Sequence, residues 1–61
     1  MTIKEAKARV YLTGNRFTGY CVAASFLPGP VLAGSHYLIP VGSYKTGNSL
    51  VRAMRAALLE A

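Results

Sequence analysis

From Ala8 onward the chain alternates, with apolar Ala8, Val10 and Leu12 separated by Arg9, Tyr11 and Thr13. A period of two is the mark of a strand with one buried face. Gly14-Asn15 comes next, a pair suited to the positive φ angles of a two-residue hairpin turn. A second strand is expected from about Arg16 to Phe26, rich in aromatic and small residues. It ends at Pro28-Gly29-Pro30, because proline cannot donate to a ladder and glycine permits a turn. A third strand is expected from about Val31 to Val41, with Pro40 marking a position at a sheet edge. The period then changes. Leu50, Val51, Met54, Ala57 and Leu58 make one helical stripe, Asn48 or Ser49 offers a cap, and the alanine content favours helix through Ala61. At the front, Thr2-Ile3-Lys4-Glu5 has the spacing of a capping box, enough to start one or two helical turns through Ala8. The expectation is a single α+β domain over residues 1–61, a three-stranded antiparallel sheet packed on a C-terminal helix. The order is β-β-β-α, with a short N-terminal helical turn.

The turn fixes which residues share a face. A Gly14-Asn15 turn pairs Thr13 with Arg16, Tyr11 with Thr18 and Arg9 with Tyr20. One face then holds Ala8, Val10, Leu12, Phe17, Gly19, Cys21 and Ala23, and is assigned to the core under the helix. The other holds Arg9, Tyr11, Thr13, Arg16, Thr18 and Tyr20, grading into Val22, Ala24 and Phe26. One helix covers one side of a sheet, so this second face is left for solvent or a partner. A one-residue slip exchanges the two faces, which makes the turn decisive.

Length makes the apolar content matter. A chain of 61 residues buries only about 60% of its unfolded surface. One cysteine, Cys21, and one histidine, His36, supply neither an internal disulfide nor a structural zinc site. Yet 52% of the residues are hydrophobic, more than such a core absorbs, so a homo-dimer or a subunit of a larger complex is expected. The unpaired cysteine fits a reducing, cytoplasmic setting, and the first ten residues are too charged for a signal peptide. From Phe17 to Tyr44 only His36 can carry charge, but Pro28-Gly29-Pro30 divides this run below the length of a membrane helix.

Charge adds the functional expectation. Seven Lys and Arg against two acids give a net charge of +5, and the acids, Glu5 and Glu60, stand near the ends. Lys7, Arg9, Arg16, Lys45, Arg52 and Arg55 lie between them without an opposing charge. A field of one sign attracts polyanions. Arg9, Tyr11, Arg16 and Tyr20 are the candidate nucleic-acid or partner-binding residues, because rings on a sheet stack bases while guanidiniums contact phosphates. Lys45, Arg52 and Arg55 would add phosphate contacts, and Leu59 falls beside the arginine pair. The bland reading is equally concrete: Tyr, Thr and Arg suit any solvated strand, and a charge run on a helix is usually its wet face.

Residues 42–49 have the G-x-x-x-x-G spacing of a phosphate loop, but Asn48 stands where its lysine belongs, which rules out nucleotide hydrolysis. Gly42, Lys45, Gly47 and Ser49 remain an expected anion-binding loop at a helix start. With no acid to orient His36 and no base beside Cys21, no catalytic residues, metal or cofactor are assigned and no enzyme is expected. Residues 42–61, a glycine- and lysine-bearing turn entering an alanine-rich basic helix after three strands, resemble the end of a double-stranded-RNA-binding domain. The departures are the missing room for a full first helix and a lysine cluster reduced to Lys45, so the family is not assigned. The function expected is a non-enzymatic module engaging an anionic macromolecule, nucleic acid ahead of an acidic protein surface. The alternative is a stand-alone protein-docking factor, a small inhibitor or accessory subunit, using Val22, Phe26 and Leu59.

Overall fold

A computed structural model describes residues 1–26, 28–32 and 34–60. The order is helix α1 (Ile3–Arg9), strands β1 (Val10–Asn15), β2 (Gly19–Ala24) and β3 (Tyr37–Val41), and helix α2 (Tyr44–Glu60). The strands form one antiparallel sheet in the order β1-β2-β3. This is the expected α+β architecture, with the N-terminal turn present as α1. Thr2 caps α1, its side-chain oxygen accepting from the Glu5 N–H at 3.1 Å, as its spacing three residues before Glu5 implies.

The hairpin turn is not where Gly14-Asn15 suggested. Both residues belong to β1, and the register pairs Val10 with Ala24, Leu12 with Val22 and Asn15 with Gly19. Arg16, Phe17 and Thr18 form the loop. Asn15 decides the matter with its side chain: Oδ1 accepts from the backbone N–H groups of Phe17 and Thr18, each at 2.8 Å. No loop residue takes a positive φ; the two positive-φ positions of the hairpin are the flanking Gly14 at +98° and Gly19 at +90°. Relative to the expected pairing, β2 moves by an odd number of residues, so its two faces exchange.

The core follows from this shift. Val10, Val22, Ala24 and Val51 are buried, with Leu12, Ile39, Val41, Leu50, Met54 and Leu58 packed around them. Val10 and Leu12 were expected there. Phe17, Gly19, Cys21 and Ala23 were expected beside them and are not: Phe17 is 84% exposed at the hairpin tip, while Cys21 and Ala23 lie on the sheet's other face, where Ala23 is nonetheless buried. The strands are also shorter than their composition suggested. Ser25 to His36 is a long connection, pinned to the end of α1 by Ser25 N–H on Arg9 O at 2.8 Å and by His36 Nε2 against Ala8 O at 3.0 Å.

Helix α2 begins four or five residues before the expected caps. Ser43 precedes it and accepts from the Thr46 N–H at 3.2 Å, so Asn48 and Ser49 lie inside the helix. Gly47 is buried in the helix, and a Cβ there would stand 2.5 Å from Leu12 Cδ1. The glycine is what lets α2 approach β1. The helix packs mainly over β1 and β2 and touches β3 more sparsely, with α1 against its side.

Candidate functional site

The exchange of faces disperses the expected hairpin platform. Arg9 ends α1, and its guanidinium donates to the Gly29 carbonyl. Tyr11 remains on the sheet face away from α2, its ring centroid 5.1 Å from that of His36. Tyr20 pairs with Val41 on the helix side, and its ring meets that of Tyr44 edge-on at 5.7 Å. Arg16 sits in the turn over the Phe17 ring, 4.9 Å from its centroid. These four residues occupy four settings rather than one surface.

The expected anion loop is likewise redistributed. Gly42 precedes α2, Lys45 and Ser49 are exposed on its first turns, and Gly47 faces the core. Val22, expected to meet a partner, is fully buried. Phe26 and Leu59 are exposed, but Leu59 shares a helix flank with Arg52 and Arg55 while Phe26 sits by Ala57 and Leu58.

Two surfaces do assemble. The first is a flank of α2. Lys45, Asn48, Arg52, Arg55 and Leu59 recur at alternating intervals of three and four, which brings them to one side of a helix. Lys45 and Arg52 are exposed. Arg55 is half-buried and donates from Nε to the Val10 carbonyl at 2.8 Å, so this flank faces the β1 edge of the sheet. Neither acid of the chain falls on it, since Glu5 is in α1 and Glu60 follows Leu59 on a different side of the last turn. Lys4 and Lys7, three apart on α1, are exposed as well. Sequence reasoning paired Arg52 with Arg55 and put Lys45 in a loop. Only the earlier helix start places all three on one continuous flank.

The second surface is an apolar groove of about 190 Å³ lined by Val10, Phe26, Met54, Ala57 and Leu58. The Phe26 ring stands at its rim, 6.2 Å from the Tyr37 ring, and these side chains are 59% and 63% exposed. Among the described residues no cluster of three His, Cys, Asp or Glu side chains could hold a metal ion. No helix among them is long and apolar enough to cross a membrane.

Fold and surfaces together define a small α+β module with helices on one side of its sheet, one basic helix flank and one apolar groove. No family matches the chain, and no curated protein or solved structure matches it either.

Proposed function

We propose that this chain is a small basic binding module that engages nucleic acid through the Lys45–Arg52–Arg55 flank of α2. The observation that carries the reading is the continuous helical flank of cations with no acid on it. An ordinary solvated helix interleaves charges of both signs at these spacings, because i,i+4 pairs add stability. Here the cations are left to interact with something else. An exposed helix of this kind matches the width of a DNA major groove, and its lysine and arginine side chains reach flanking phosphates. Arg55, tethered by one N–H to Val10, holds a guanidinium in place beside the exposed Lys45 and Arg52 side chains.

The test is fluorescence anisotropy with single- and double-stranded oligonucleotides across a salt series. Affinity should fall steeply with salt, by about 0.9 log units per log unit of salt for each phosphate contacted on duplex DNA. Exchanging Lys45 and Arg52 together for Glu should lower the slope by about two and leave the far-ultraviolet circular dichroism unchanged. Negligible affinity for every oligonucleotide at low salt would refute the reading in favour of an acidic protein partner.

A further inference from the structure

We propose that the apolar groove between Val10 of β1 and the C-terminal half of α2, with Phe26 at its rim, receives a second copy of this chain, giving a two-fold dimer. The contact inserts the Phe26–Tyr37 ring pair of each copy against Met54, Ala57 and Leu58 of the other. This goes beyond nucleic-acid binding and uses a different surface.

Three observations converge on a second copy. The first is area. The chain exposes 4412 Å², whereas a folded monomer of 6.5 kDa exposes about 3,800 Å² by the usual scaling with mass. The excess, about 600 Å² per chain, is spread over the whole surface, and twice that area matches the lower end of a specific interface.

The second is shape. A two-fold contact uses the same patch on both partners, so that patch must carry both the projecting and the receiving parts. Phe26 and Tyr37 project, and the groove lies directly beside them.

The third is charge. Each copy carries +5, so two copies associate only where cations are kept apart. No residue lining the groove is ionisable, Lys45 and Arg52 lie on the other flank of α2, and Arg55, which reaches the groove at Val10, is engaged there by the Val10 carbonyl. Joining copies by continuing the sheet is a poor alternative at β3, because Pro40 has no N–H to offer a new strand.

Analytical ultracentrifugation of the full chain over a concentration series tests this. The expected result is a reversible shift from 6.5 kDa to twice that mass. Tyr37→Lys and Ala57→Arg change exposed positions, so each should leave the circular dichroism intact while raising the dissociation constant at least about tenfold. Leu38→Lys, on the opposite sheet face, should leave the dimer unchanged. A wild-type chain that stays at 6.5 kDa through high micromolar concentrations would overturn the proposal. So would a dimer that survives both groove substitutions or is dissolved by Leu38→Lys. Oligonucleotide affinity measured on the same variants keeps the two readings separate, since the groove and the basic flank share none of these residues.

Discussion

Two glycines hold this structure in place for different reasons. Gly14 has φ +98°, and a Cβ there would lie 2.2 Å from the Gly19 carbonyl oxygen. Backbone atoms cannot swing aside as a side chain can. Gly14→Ala should therefore cost about 2–3 kcal/mol, from an unfavourable φ together with a steric clash, measured as a lowered urea midpoint with an unchanged slope. Gly47 has ordinary helical backbone, and its neighbours are the ends of Leu12 and Val41 side chains, the latter at 3.0 Å from the added Cβ. Gly47→Ala should come out near neutral, because displacing a leucine methyl is offset by roughly 1 kcal/mol of helix propensity. Gly47→Val adds two more carbons at the same contact and should cost about 1–3 kcal/mol through overpacking. The contrast separates a conformational requirement from a packing one.

Helix ends and strand edges show the same economy at the level of the element. Ser43 satisfies the Thr46 N–H of the first α2 turn and also donates its hydroxyl to Thr46 Oγ1 at 3.0 Å. Ser43→Ala should destabilise by about 1 kcal/mol, visible as a lower thermal midpoint and as faster amide exchange in the first turn. At β1, Ser25 bonds Arg9, so the alternation of an antiparallel ladder turns the Val10 carbonyl outward. Arg55 occupies that carbonyl. It thereby ties α2 to the sheet edge and blocks one position at which another strand could add. Arg55→Met keeps much of the apolar stem and removes the donor, so it should lose about 1–2 kcal/mol. Chevron analysis would place that loss mainly in the unfolding rate if α2 docks after the hairpin forms.

On the scale of the whole molecule, the largest fully buried side chains among the described residues are Val10, Val22 and Ser25. A buried valine contributes about 1.5–3 kcal/mol, so a core of this composition stabilises thinly. Rings that elsewhere fill a core are outside here, among them Phe17, Phe26, Tyr37 and Tyr44. That distribution leaves the Phe26 ring at the groove beside Met54, Ala57 and Leu58, while the basic residues follow another side of α2. If the groove is covered by a second copy, stability should rise with protein concentration, because association favours the folded state by mass action. A thermal midpoint that climbs across a hundredfold dilution series is the expected outcome, and one independent of concentration would contradict it.

The sequence by itself determined the class of fold, the capping of α1 by Thr2, the apolar stripe of α2 and the uneven charge. All of these are local or compositional: a helix repeats every 3.6 residues, and a capping residue acts within one turn. Pro40 at an outer strand was legible for the same reason, since a missing N–H excludes a central position. Which face of β2 is buried was decided only in three dimensions. Gly14-Asn15 and Asn15-Arg16-Phe17-Thr18-Gly19 both make acceptable local turns. The choice between them depends on whether Val22 and Ala24, or Cys21 and Ala23, lie beneath a helix encoded some 25 residues later. The start of α2 was hidden likewise, because Gly47 reads as a loop residue until Leu12 is known to stand against it. The cationic flank inherits that uncertainty. Its lysine and arginines were visible as charge, but only the docked helix brings them to one side and turns the Phe26 and Tyr37 rings toward the other.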